Sequence, residues 1–356
     1  MKRGLVVLDE EETPRAVFKQ RVAALQRALA EQGVIAAFVY GDVYHSGDIT
    51  YLSNICLYWN EAILAVPVQG EPALLTKLSR RVHPWMRRTS SLDDLRSGPH
   101  LAVLAREFID DLGEGPVGLV EEAWWPASLL IELRDALGPQ RSVDLGEVVR
   151  RERKAPSGSE LRLLRSASTL TARAVGDVLD PGLTPEERAG RAELTARQGG
   201  VEDVSVYSHL AGPDAEVVEV IGEFRGYWTS AARVLSRSVP PWARAIEAGF
   251  RAAATVLRDG VTANTVRSAA GPHLSELDMA WQLELLHHVD VETGGGYRLP
   301  SGSGEPFRAG AVVSMRLSVE LPDSASAVVG DTYLLGASGS ERLTNALADE
   351  TVVSAA

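Results

Sequence analysis

The stretch Arg150–Glu160, RRERKAPSGSE, constrains the fold of this chain more than any other. A charged run gives way to Pro156 and Gly158, the composition of a break between folded units. Ser157, with Glu160 three residues on, is a capping-box signature, so a long helix, ELRLLRSASTLTARAVGDVLD, begins at once. A chain of 356 residues exceeds one ordinary core. The break therefore predicts two domains, residues 1–150 and 151–356.

Before the break, helical and strand patterns alternate. AVFKQRVAALQRALAEQG carries apolar residues at helical spacing and ends at Gly33, a natural residue just past a helix end. VIAAFVY follows as a buried strand, and AILAVPVQGEPALLT reads as two strands around a turn at Gly70. LAVLAREFIDDLG, PVGLV and ASLLIELRDALG read as helix, strand and helix. That alternation predicts a parallel or mixed sheet with helices packed on it, an α/β fold class.

After the break, Thr184-Pro185 with Glu187 opens a second helix that Gly199 closes. DVSVYSHL is a strand, and EVIGEFRGYWTSAARV is a hairpin with its turn at Arg225-Gly226. Pro240-Pro241 separates the hairpin from the helix PWARAIEAGFRAAATVLRDG. HHVDVET, GAVVSMRLSVEL and AVVGDTYLLG read as strands.

A formal net charge of -12 disfavours nucleic acid or an anionic membrane as a general partner, since phosphate binding relies on clustered Lys and Arg. No apolar run has the length of a membrane span. The start, MKRGLVVLDEEETPR, has too short an apolar run for a signal peptide, so the cytoplasm is the expected location. Cys56 is the only cysteine, which leaves no disulfide framework and no thiolate metal cage.

Six segments in order resemble the pita-bread domain of creatinase, prolidase and aminopeptidase P. RKAPSGSELRLLRSAS resembles its opening segment and first helix, and GLTPEERAGRAELTARQGGVE the next turn and helix. AGPDA resembles the family's Gly-Pro-Asn turn, and GEFRGYWTSAAR its Gly-Tyr hairpin. RAGAVVSMRLSVELPDS resembles the strand that normally ends in Met-Glu, and GDTYLLGASGSERLT the closing strand with its Glu-Arg-Leu-Thr tail. In the first half, ITYLSNI and ILAVPVQGEPALL resemble the creatinase-type N-terminal domain. The resemblance implies that two-domain architecture, and a homodimer in which Tyr58, Trp59 and Asn60 line the partner's pocket.

Metal-dependent members hold two cations with two aspartates, a histidine and two glutamates. By resemblance those positions fall here on Glu219, Ser230, Leu285 (or, with a shift, His287 or His288), Arg316 and Gly330. One acid of four survives, as the longer glutamate, and a cation beside Arg316 would be repelled strongly in a low-dielectric pocket. No metal and no other cofactor is therefore expected. A segment that usually follows the Gly-Pro-Asn turn is also missing after Asp214. In creatinase it carries the acid/base histidine, and its loss opens one rim of the pocket.

The replacements are charged rather than apolar, and buried charge is costly unless paired or used. Glu219, His209 and His288 are the candidate catalytic residues. Glu219 suits a general base or an ammonium anchor, and histidines shuttle protons near neutral pH. His287 and His288, on one strand, should face opposite ways, leaving one of them inward. Arg316, Asp331, Tyr227, Tyr297 and Trp59 are the candidate substrate contacts, with Arg316 suited to a carboxylate. Arg316 has an alternative role, a salt bridge to Glu219 or Asp331.

The expectation is a metal-independent enzyme, not a classical metallopeptidase. It would act on a small polar, carboxylate-bearing molecule by C–N hydrolysis, as in creatinase or ectoine hydrolase. Two other readings stay open: elimination, cyclisation or rearrangement in specialised metabolism, and a non-catalytic interaction protein.

Overall fold

The structure, a computed structural model, describes residues 7–57, 60–138, 142–291, 304–321 and 325–354. The chain divides into two compact units at the Arg153–Lys154 peptide. Among the described residues no helix is long and apolar enough to cross a membrane.

The N-terminal unit is built on strands β1 (Ala36–Gly41), β2 (Ala62–Pro67), β3 (Ala73–Thr76), β4 (Asp94–Ser97), β5 (Val117–Val120) and β6 (Ser142–Gly146). Their order in the sheet is β4-β3-β2-β1-β5-β6. The β1–β5, β5–β6 and β3–β4 pairs are parallel, and β1–β2 and β2–β3 are antiparallel. Helices α1 (Arg15–Glu31), α2 (Gly47–Ser53), α3 (His83–Thr89), α4 (Leu101–Asp110), α5 (Ala127–Leu137) and α6 (Val148–Arg153) complete it. Strands β1, β2 and β3 are buried along their whole length, which is what a sheet covered on both faces requires. One core joins Leu25 and Leu29 of α1 to Leu64 and Leu74, and the other joins Phe108 of α4 and Leu133 of α5 to Phe38 and Ile63. Gly33 (φ 67°) ends α1 and Gly70 (φ 109°) turns β2 into β3, both in the left-handed region that glycine tolerates.

The C-terminal unit opens with α7 (Gly158–Gly176), whose capping box of Ser157 and Glu160 is formed, and α8 (Pro185–Gln198), capped in the same way by Thr184 and Glu187. Strand β7 (Asp203–Leu210) leads into a hairpin of β8 (Ala215–Phe224) and β9 (Tyr227–Ser236). Its two-residue turn has Arg225 at φ 56° and Gly226 at φ 84°, the positive pair that matches strand twist in tight hairpins. Helices α9 (Pro241–Val256) and α10 (Ala263–Leu274) precede β10 (Trp281–His287), β11 (Val312–Glu320), β12 (Ser326–Leu335), β13 (Ser340–Arg342) and β14 (Val352–Ser354). The principal order is β10-β11-β12-β9-β8-β7, antiparallel throughout. Ile246 and Phe250 of α9 and Val266 and Leu274 of α10 pack on Leu283, Leu285, Met315 and Leu317, one face of β10 and β11.

The HHVDVET segment departs from the strand expected there. The ladder runs from Trp281 opposite Val319 to His287 opposite Val313. The pairing stops there although β11 extends one residue further, to Val312, and the chain turns into a 3-10 helix, His288–Asp290. His287 and His288 are therefore not alternate residues of one strand.

Candidate active site

Register places one residue from each strand in a lateral row across the second sheet: Glu284, Arg316, Gly330, Ala232, Glu219 and Tyr207. Directly opposed residues project to the same face. The charged members stand on β10, β11 and β8, while the middle strands β12 and β9 supply only glycine and alanine. Arg316 crosses that gap. Its Nε donates to Glu219 Oε1 at 2.7 Å and its Nη2 to Glu219 Oε2 at 3.3 Å, while Nη1 donates to Glu284 Oε2 at 3.0 Å.

Both carboxylates are buried, with side-chain exposures of 5% for Glu219 and 9% for Glu284, and Arg316 retains 20%. Burial works against the guanidinium charge. The attraction and hydrogen bonds of Glu219, then of Glu284, outweigh it and raise the Arg316 pKa. Of the five N–H groups of a guanidinium, three are taken by these carboxylates. The formal charge of the trio is one negative.

A row of hydroxyl groups runs beside the charged one. Ser314 faces Thr332, and Ile221 faces Ser230. Thr332 Oγ1 accepts from the Ser230 N–H at 3.1 Å and donates to the Ser230 carbonyl at 2.9 Å. This stitches β12 to β9 where, among the described residues, the backbone ladder is the single pair Gly330–Ala232. With its one proton spent on that carbonyl, Thr332 Oγ1 must accept from Ser314 Oγ, 3.0 Å away.

On β7, two residues from Tyr207, His209 Nε2 lies 2.8 Å from the Ser326 carbonyl. A carbonyl only accepts, so Nε2 carries the proton and Nδ1 is left as the basic nitrogen of the neutral ring. His209 faces Val217, two residues from Glu219 on β8.

Residues 21–155 match the family model described as Creatinase/Prolidase N-terminal domain. The N-terminal domain belongs to the creatinase/prolidase family. The whole chain shares its fold with enzymes of known structure. A dipeptidase PepE from Mycobacterium ulcerans is 22% identical, with a TM-score of 0.74 over 96% of this chain and 98% of that one. An X-Pro aminopeptidase from Thermotoga maritima is 17% identical, with a TM-score of 0.78 over 93% and 99%. A prolidase from Pyrococcus horikoshii is 17% identical, with a TM-score of 0.75 over 91% and 98%. A search by sequence against curated proteins found no match. The creatinase/prolidase architecture, with its pita-bread second domain, is thus the fold of this chain.

The side chains do not fit the two-cation site of metal-dependent pita-bread enzymes. Arg316 stands between Glu219 and Glu284, each carboxylate already bound to it. Ser230 and Gly330 offer no carboxylate, and among the described residues no group of three or more His, Cys, Asp and Glu side chains is arranged to hold a metal ion.

The structure brings Glu219 and Arg316 together and keeps other candidates apart. Asp331 is not near Arg316: it pairs with Met315, one residue out of phase, and so points to the opposite face. There it accepts from Arg233 Nη2 at 3.0 Å and from the Thr344 hydroxyl at 2.5 Å, fully buried. Tyr227 gives its hydroxyl to Glu160 at 3.1 Å and packs with Leu163 and Leu164 of α7, away from the row. His288 is buried with its ring 6.2 Å from that of Tyr227. His287 packs 5.3 Å from the Phe307 ring, and burial lowers its pKa to about 4. Tyr297 and Trp59 lie outside the described residues.

Sequence reasoning passed over Glu284. The signal was present: in WQLELLH the polar Gln282 and Glu284 alternate with Leu283 and Leu285, so a strand there puts Glu284 on the polar face.

Proposed function

We propose that this chain is a metal-independent hydrolase of a C–N bond in a small polar molecule. The observation that carries the reading is the Arg316 guanidinium, clamped by Glu219 and Glu284 in mid-sheet with two N–H groups not taken by described residues. A fixed guanidinium holds a carbonyl oxygen and stabilises the negative charge that grows on it when water attacks the carbon, the role other enzymes give to oxyanion-hole donors. Glu219 and Glu284 hold the guanidinium plane so that it need not reorganise. His209 Nδ1 takes a proton from the attacking water and returns it to the departing nitrogen as the C–N bond breaks. Glu219, with each oxygen already accepting from Arg316, serves as a positioning group rather than the base. The homodimer suggested by resemblance belongs to this proposal, and sedimentation at micromolar concentration tests it.

The test is ammonia or amine release from a panel of amides, ureas, amidines and guanidines by full-length, chelator-treated protein. Turnover should survive the chelator. It should fall by about a hundredfold or more in Arg316→Lys, because a lysine cannot reproduce the planar fork, and fall in His209→Gln. Activity that appears only on adding a divalent cation would contradict the reading.

A further inference from the structure

Hydrogen bonds already made within the row and the neighbouring hydroxyls define what a ligand can still touch. Ser314 is turned to Thr332, and Thr332 to the Ser230 backbone. Ser230 is the member whose hydroxyl, among the described residues, makes no hydrogen bond, although its backbone is held at both N–H and C=O by Thr332. The residue is 8% exposed, and its hydroxyl oxygen is not among the unpartnered atoms sealed from solvent, so a ligand can reach it. On the same face stand the two remaining N–H groups of Arg316 and, one row away, the carboxylate of Glu219, whose oxygens each keep a lone pair.

We infer that Ser230 is a ligand contact and that the group recognised beside it is a neutral amide or urea. The inference rests on the hydrolase reading and names the substrate class for it. An amide or urea presents an oxygen that accepts from Arg316 and an N–H that donates to Glu219. The Ser230 hydroxyl, donor and acceptor at once, closes the pattern. A carboxylate suits the site less well. It would satisfy Arg316 but bring a second negative charge to a trio that already carries a net negative one, and it has no N–H for Glu219. Ser230 occupies the position where resemblance puts an aspartate metal ligand, and here the strand delivers a neutral hydroxyl to the same place.

The experiment uses ligand-observed NMR on the full chain with four probes that share one alkyl tail: pentanamide, pentylurea, pentanoate and pentylammonium. The wild type should bind pentanamide and pentylurea in preference to pentanoate. Ser230→Ala should weaken both by about five- to tenfold, the loss of one hydrogen bond, with an unchanged melting temperature. Ser314→Ala, whose hydroxyl is turned inward to Thr332, should change affinity by less than about twofold. Preference for pentanoate, or equal affinity in Ser230→Ala and wild type, overturns the inference while leaving a small-molecule site in place. Failure of all four probes to bind overturns both the inference and the hydrolase reading.

Discussion

Arg316 reaches Glu219 across two intervening strands, with Nε 2.7 Å from Oε1, because Gly330 and Ala232 put nothing in its way. Glu284, directly opposite Arg316 on β10, takes the other side of the guanidinium at 3.0 Å. Removing one member of such a set strands buried charge, whereas replacing the set removes the need for it. Arg316→Ala should cost about 3–5 kcal/mol, measured by denaturant unfolding. The triple variant Glu219→Gln, Arg316→Met, Glu284→Gln should recover most of that loss. Equal stability of Arg316→Ala and wild type would mean that the trio is not a buried unit.

Gly330 keeps the crossing open. A Cβ added there would lie 3.1 Å from the Met315 carbonyl oxygen and 3.6 Å from Ala232 Cβ. Gly330→Ala should cost about 1–3 kcal/mol by overpacking. Gly330→Leu should in addition push Arg316 off Glu219, so that binding of pentanamide is lost together with stability. Retained binding in a folded Gly330→Leu protein would show that Arg316 has another route to the ligand.

Asp331 separates structural from functional charge. It and Arg233 are both fully buried, and Thr344 and Arg233 consume its oxygens on the face away from Arg316. Asp331→Asn should lower stability by about 3–5 kcal/mol and leave probe affinity unchanged at a temperature where the variant is folded. A selective loss of affinity would return Asp331 to the substrate site.

Two half-buried groups give stability opposite pH dependences. In the N-terminal unit, burial and then the charge of Asp48 raise Glu121 to about 7, although Arg150 and Arg153 pull it down. A raised acid favours the protonated folded state, so its contribution is full below pH 4.5 and is lost as pH rises through 7. In the C-terminal unit, burial lowers His287 to about 4. A depressed histidine favours the neutral folded state, so its contribution is full above pH 6.5 and is lost as pH falls through 4. Denaturation midpoints measured from pH 4 to 8 should show that Glu121→Gln removes the first dependence and His287→Asn the second. Slopes unchanged in both variants would assign the titration elsewhere.

The parts legible in the sequence were those with local causes. Both capping boxes, the Arg225-Gly226 turn and the Gly33 stop follow from residues within a few positions of one another. The Arg316–Glu219 pairing was also within reach, because aligned positions in the two strands bring them to one face. Asp331 was not, since its partner Arg233 lies 98 residues away and a single step of register decides which face an acid joins. Glu284 was legible in the alternation of WQLELLH, whereas the end of β10 was not: the pairing stops at His287 although β11 extends to Val312, and His288 turns into a 3-10 helix.

Metal analysis of full-length protein, purified without chelator and then equilibrated with manganese, cobalt or zinc, tests the central claim most directly. That claim is that Arg316 has taken the place of the cations between the pocket's carboxylates. The account predicts far less than one equivalent of bound metal and no rise in melting temperature with any of the three ions. Stoichiometric metal, retained through dialysis and lost with Glu219→Gln, would contradict it.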